Sequence, residues 1–315
     1  LLFLIYTSHA NPGGGVVGGT QQLTQSMIRC LEHHGGEIRT GCNVRSIVNT
    51  GGKGRGVELD SGEVLTAKKA VVASIHPSNL GDMVAGLDKG LVARAKNLEL
   101  STFSILLINA ALREAPKWNS GKAPEDCLCV NYVDYTTFED FRRFFDDCRY
   151  GIPPTHFCAY SSVHTQFDPS RAPDGQHTLY LAGLVPRELR GTGVEGWDAI
   201  KEQRADWMLE RLARYAPNVS GDNILARHVD SPMDMWRHTP SFHRGDVVGV
   251  AMFLYQFFAR RPTPELAQYR VPGAEGLYLS GPFMHPGGGL TGGGRATAIR
   301  VMEDLGVNYS HVITS

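Results

Sequence analysis

Gly276-Leu277-Tyr278-Leu279-Ser280-Gly281-Pro282-Phe283-Met284-His285-Pro286-Gly287-Gly288-Gly289-Leu290-Thr291-Gly292-Gly293-Gly294-Arg295 is the stretch on which the rest of the chain is read. Its first five residues have the composition of a short buried strand. Beyond Arg295, Ala296, Ile299, Val301, Met302 and Leu305 predict an amphipathic helix. Strand, glycine loop and helix together bring free backbone N–H groups and the positive end of a helix dipole to an anionic or polar ligand. Glycine lets that ligand approach the backbone with no Cβ in the way. A flexible linker has similar composition, but a linker is not bracketed by a buried strand and an amphipathic helix. Gly287-x-Gly289-x-x-Gly292 and Gly13-x-Gly15-x-x-Gly18 carry the letters of G-x-G-x-x-G, but neither is read as the opening turn of a dinucleotide-binding strand-helix-strand unit, and G-x-x-x-x-G-K-S/T is absent.

Working outward, Leu23, Met27 and Leu31 recur at a spacing of four and predict a helix over 20–34, with Thr20 as N-cap and Gly35-Gly36 as the stop. Short β-rich runs follow at 37–40 and 43–48, then at 56–59 and 64–73, an antiparallel meander whose last strand returns to a buried sheet. From His76-Pro77 the texture changes. Helices are expected at 88–98, 138–149 and 197–215, and strands at 102–111, 127–133, 156–162 and 178–184. The fold class is α/β plus α+β: residues 1–75 and 271–315 form a first unit, and 76–270 a mixed domain with helices on one face of a sheet.

The chain has 315 residues, enough for a core without disulfide or metal support. Lys plus Arg is 31 against 32 for Asp plus Glu, so no basic footprint for nucleic acid or an anionic membrane is present. The six cysteines lack any C-x-x-C pair, which argues against a zinc site and for reduced, small buried thiols in a cytoplasmic protein. The apolar opening, Leu1 to Tyr6, is too short for a signal or membrane span and is expected to leave an apolar face open to a partner.

The glycine loop, with Pro12-Gly-Gly-Gly-Val-Val-Gly-Gly-Thr-Gln-Gln-Leu23, the run from Gly35 to Val44, and the loop Asp168 to His177, resembles the phytoene desaturase and carotenoid isomerase-like family of FAD-dependent oxidoreductases, which includes pyridine nucleotide-disulphide oxidoreductase-like members. The resemblance implies a partial Rossmann-like, amine-oxidase-type FAD-binding domain with a β-meander, joined to a substrate domain. It implies that Val44 meets the adenine through its backbone, and that Gly281, Pro282, Pro286, Gly287, Gly288, Gly289, Leu290, Thr291, Gly292 and Gly293 lie along FAD. The turn from Pro12 to Gly19 would approach the flavin from the substrate side. Hydride would pass from an apolar small-molecule substrate to the flavin. The family's N-terminal glycine fingerprint is missing from these residues, and Gly281-Pro282 stands where many flavoproteins place Gly-Asp. A dinucleotide-binding subunit, or a homo-oligomer, is therefore the expected partner. The alternative function is a non-catalytic binding or scaffold subunit.

His285 is the candidate catalytic residue, able to hydrogen-bond a flavin carbonyl or move a proton, though a loop histidine can also cap the next helix or face solvent. His33-His34 sits at a helix end, where positive charge suits the dipole. His228, His238 and His243 are split by Pro232 and Pro240, and only His238 has a carboxylate at i,i+4 spacing, Asp234, so no metal is expected. Phe253 to Phe258 reads as a buried strand, a wall of the substrate tunnel or a lipid-touching surface; its place before the glycine loop favours the cleft, and membrane association stays open without a transmembrane segment.

Overall fold

In the computed structural model residues 15–287 and 292–313 are described. The expectations for Leu1 to Tyr6, Pro12 to Gly14 and Gly288 to Thr291 lie outside them. Helix α1 (Gln21–His33) forms where the fourfold apolar spacing places it and stops at Gly35, whose φ is 79°. Thr20 holds the N-cap position in helical geometry but makes no side-chain capping bond. No residue of α1 is fully buried: Met27 and Leu31 are 61 % and 47 % exposed, while Leu23 and Ile28 are half-buried.

Residues 37–40 form no strand. The meander begins at β1 (Val44–Thr50), turns through Gly51-Gly52 into β2 (Lys53–Leu59) and continues to β3 (Val64–Thr66), all antiparallel. Then β4 (Val71–Ala73) leaves this sheet to pair in parallel with β10 (Leu277–Leu279), Val71 opposite Leu277 and Ala73 opposite Leu279. Backbone bonds from Gly54 N to Glu275 O (2.8 Å) and Glu275 N to Gly52 O (2.7 Å) tie the two sheets. Helices α2 (Leu80–Met83) and α3 (Lys89–Lys96) pack below; Asp88 caps α3 by accepting from Leu91 N at 2.8 Å. Ile47, Leu80, Leu91, Val250, Leu266, Leu277, Leu279 and Phe283 share one core. Leu80, Leu91, Val250 and Leu266, which the expected division groups with the second unit, thus pack in the core of β4 and β10.

The second core lies on a five-stranded antiparallel sheet of order β6 (Val130–Val133), β7 (Cys158–Ser162), β8 (His177–Pro186), β5 (Phe103–Leu112), β9 (Ile224–Asp230). Strand alternation sends Leu106, Ile108 and Leu112 of β5 to one face, where Trp197, Met208 and Leu212 of α5 (Trp197–Leu212) cover them. Helices were expected on one face only. The other face, however, receives α4 (Phe138–Arg149), because its phenylalanine stripe meets Phe103 through Phe145 at 6.3 Å between rings. That leaves the Asn109 end of the second face open. A capped turn at Ser231 leads from β9 into α6 (Pro232–His238), and the chain closes with α7 (Gly292–Asp304) and α8 (Tyr309–Ile313). Among the described residues no helix is long and apolar enough to cross a membrane. Of the cysteines only Cys148 is buried, whereas Cys30, Cys127 and Cys129 are exposed, so the reading of buried thiols fails for those three.

Candidate functional site

Strand β10 delivers the chain to Gly281, where φ is 155° and a Cβ would meet the Phe283 ring at 2.6 Å. Phe283 and Met284 plug into the core beneath the loop. Past the cis His285-Pro286 bond, buried Gly287 has φ 104°, and a Cβ there would lie 3.2 Å from Met252 Cε and 3.8 Å from the Arg261 guanidinium.

Arg261 is fully buried and braces this loop from behind. Its Nη2 donates to Pro282 O (2.8 Å) and Val248 O (2.9 Å), its Nη1 to Val250 O (3.2 Å) and its Nε to Met284 O (3.3 Å). Burial lowers its pKa to about 10, with nearby Asp246 opposing that shift, so it stays charged at neutral pH. Four carbonyl acceptors across two segments make it a clamp. His76, also buried, receives the Ser78 N–H at Nδ1 and holds Gly249 O at 2.8 Å through Nε2, which fixes the neutral tautomer with the proton on Nε2.

On the outer side Tyr269 Oη donates to His285 O at 3.0 Å. His285 is half-buried, close to the rings of Phe257 and Phe258 at 6.3 and 6.2 Å. Its Nδ1 is buried with no hydrogen-bond partner among the described residues, and the residue borders a cavity of about 330 Å³ with Phe258, Gln268 and Tyr269. A bound group with a polar atom would satisfy that nitrogen.

Helix α7 returns against the same loop. Thr297 Oγ1 bonds Leu279 O (3.1 Å) and Gly293 O (3.0 Å). A Cβ on Gly292 would come within 3.1 Å of Pro286, and one on Gly293 within 3.5 Å of Gly281 O. The residues buried in α7 are Gly293 and Thr297; Ile299, Val301 and Met302 are half-buried and Leu305 is 42 % exposed. Small residues, rather than the expected apolar stripe, bring this helix close to β10. Gly281, Pro282, His285, Pro286, Gly287, Gly292 and Gly293 are thus brought together. Gly288, Gly289, Leu290 and Thr291 fall outside the described residues. Val44 stands at the far end of β1 from the Gly52–Glu275 junction, paired with Leu59.

A second cavity, of about 1040 Å³, lies on the open end of the five-stranded sheet. Asn109, Tyr160, Tyr180, His164 and Leu128 line it, and Gly18 to Thr20 close one side. Two stretches far apart in sequence meet here: Gly18 N donates to Asp168 Oδ2 at 2.7 Å, and Arg171 pairs with Asp168 at 3.2 Å. Burial raises the Tyr180 phenol pKa and lowers that of His164, with Arg171 adding to the latter, so both side chains are neutral at pH 7. Arg171 and Arg227 also line the cavity, the first paired with Asp168 and the second with Glu202 and Asp206.

Phe253 to Phe258 is neither a strand nor part of this wall. It forms two single 3-10 turns, with Leu254 85 % exposed, and its last two rings flank His285. His243 stacks on His76 at 4.8 Å, whereas His228 and His238 converge on Asp230. Arg261 and Tyr269 escaped the sequence reading; Arg260-Arg261-Pro262 after an aromatic run was the available signal.

Residues 2–301 match the family described as flavin containing amine oxidoreductase. The chain is 28 % identical over 302 residues to pyridine nucleotide-disulfide oxidoreductase domain-containing protein 2 of Rattus norvegicus, covering 92 % of this chain and 51 % of that protein. It is 28 % identical over 296 residues to a lycopene-forming phytoene desaturase of Paracoccus sp., covering 91 % and 55 %. An oxidoreductase from Methanosarcina mazei has a similar fold, with TM-score 0.57 at 16 % identity over 92 % of this chain and 55 % of that one. The chain spans about half the length of the curated relatives it matches. With nearly its whole length inside one family match and the loop built as described, the chain belongs to the flavin-containing amine oxidoreductases, a family of FAD-dependent oxidoreductases, and FAD is its cofactor.

Proposed function

We propose that this chain contributes the substrate cavity and the C-terminal flavin-contacting loop of an FAD-dependent dehydrogenase or desaturase acting on an apolar substrate. The observation that carries the reading is the cavity of about 1040 Å³ on the open sheet face, bounded by the Gly18 to Thr20 turn, with Leu128, Tyr160 and Tyr180 on its wall and its two arginines held in ion pairs. Gly281, Pro282, Pro286, Gly287, Gly292 and Gly293, with Gly288 to Thr291 between them and Val44 in the meander, would hold FAD. The unpartnered Nδ1 of His285 and the braced backbone of the loop support that fit. Bound FAD supplies the acceptor for a hydride taken from substrate carbon.

The chain's own groups bind and orient. Arg261 fixes the carbonyls of Pro282 and Met284, Tyr269 fixes that of His285, and His285 offers one ring nitrogen to the bound group. Leu128, Tyr160, Tyr180 and the alanines on the wall of the larger cavity offer a hydrocarbon apolar contact, while Arg171 and Arg227 are held by carboxylates. We place the dinucleotide fingerprint outside these residues, in a partner subunit or a longer form of the chain, with the exposed Met27 and Leu31 of α1 as a contact. Exposed thiols at Cys30, Cys127 and Cys129 suit a reducing, cytoplasmic setting.

Anaerobic mixing of the flavin-loaded protein with phytoene or with a primary amine tests the proposal. Bleaching of the flavin absorbance by the polyene and not by the amine is expected. Bleaching by the amine would overturn the apolar assignment, and no bleaching by either would favour the scaffold reading.

A further inference from the structure

Strand β9 ends on His228-Val229-Asp230. Alternation buries Val229 and puts His228 and Asp230 on one side of the strand. Ser231 then caps α6 through a reciprocal bond with Asp234, and the short helix brings His238 back beside the strand end. The outcome is a convergence that sequence spacing did not foretell: His228 Nε2 and His238 Nε2 each lie 3.1 Å from the same Oδ1 of Asp230. All three donor atoms fall within 4.8 Å of one another, and among the described residues no other group of this kind occurs.

We propose that His228, Asp230 and His238 bind one divalent transition-metal ion of the zinc class. Bonds of about 2.0–2.2 Å in a tetrahedral or octahedral shell put neighbouring donors roughly 3–3.5 Å apart, and both 3.1 Å edges match. Two imidazoles and one carboxylate are the donor set of borderline ions, not of magnesium or calcium, which favour oxygen. The accessibilities fit as well. Asp230, 13 % exposed, is the fixed ligand, while His228 and His238, 70 % and 66 % exposed, admit the ion from solvent. Each imidazole now donates from Nε2 to the carboxylate; binding requires that proton to move to Nδ1 through solvent, freeing the Nε2 lone pair.

Three protein ligands leave at least one open position. Because His228 also lines the mouth of the larger cavity, that position sits at the cavity rim, where water or an oxygen-bearing group would complete the shell. The ion would also fasten α6 to β9, the edge strand of the sheet. None of this depends on the flavin reading.

Zinc titration by calorimetry tests the site, on protein whose exposed Cys30, Cys127 and Cys129 have been alkylated so that thiolates cannot compete. One equivalent binding with micromolar Kd is expected. His228→Ala and His238→Ala should each weaken it at least tenfold without moving the unfolding transition of the metal-free protein. Substituting the other neighbouring pair, His33→Ala with His34→Ala, should leave it unchanged. Binding weaker than about 100 μM, equal affinity for Mg²⁺, or unaltered affinity in the His228/His238 double variant would overturn the proposal.

Discussion

Around the five-stranded sheet, Leu106, Ile108, Leu181, Trp197 and Leu212 are fully buried and apolar, whereas behind the glycine loop the fully buried set includes Arg261, His76 and Asp246. The first region rests on ten-residue strands under a sixteen-residue helix. The second rests on two three-residue strands and on side chains that hold backbone carbonyls. Apolar packing tolerates small adjustments of shape, but a buried polar clamp leaves unsatisfied groups when one member is removed. The loop should therefore depend on a few residues, and the sheet on many.

The largest effect expected from that contrast is at Arg261. Arg261→Met would strand four buried carbonyls and cost about 3–5 kcal/mol, read as a lower midpoint in urea unfolding. A loss below 1 kcal/mol would mean that the loop is not held from behind. In the sheet, Leu181→Ala should cost about 2–5 kcal/mol by leaving a cavity, yet FAD affinity per folded molecule should not change. Weakened FAD binding in that variant would erase the distinction between the two regions.

Acid should also divide them. Burial holds His76 neutral with a pKa of about 4, while the unfolded chain titrates near 6.5. Below pH 6.5 the unfolded state binds the extra proton, so stability is complete above that pH and falls by roughly 3 kcal/mol as pH drops to 4. Burial and the neighbouring Arg244 and Arg187 act on His243 in the same direction. Urea midpoints across pH 4 to 7 measure the loss, and a His76→Gln variant should flatten the profile. An equally steep profile in that variant would assign the acid sensitivity elsewhere.

The same contrast explains what could be read from sequence. Helix α4 was legible to the residue because the spacing of Phe141, Phe144 and Phe145 is a local signal; the capping box at Thr137 and Asp140 emerged only with the structure. In the meander the turn at Gly51-Gly52 was legible, but 37–40 forms no strand and the run 64–73 divides between two sheets. Strand β9 was not legible, since its pattern breaks at exposed Leu225 and it gains regularity only beside β5. Arg261 carried no signal of its own in the sequence beyond its place after the aromatic run, since its burial follows from carbonyls contributed by two loops as much as 23 residues away. The aromatic run beside the glycine loop left strand, cleft wall and lipid-touching surface open because its hydrophobicity carries no period, and the 3-10 turns it forms were not among them. The smallest effect follows: Leu254→Ser, at a side chain 85 % exposed, should change stability by less than about 0.5 kcal/mol. A larger loss would show that this turn is packed in solution.

FAD retention by the Gly287→Val protein tests most directly whether the loop is the flavin-contacting wall. Gly287 has a positive φ and its Cβ position is crowded by Met252 and Arg261, so a branched side chain there must displace the loop backbone. The account predicts that the purified flavoprotein loses bound FAD absorbance, while the unfolding transition of the five-stranded sheet region is kept. Wild-type FAD content and affinity in that variant would contradict it.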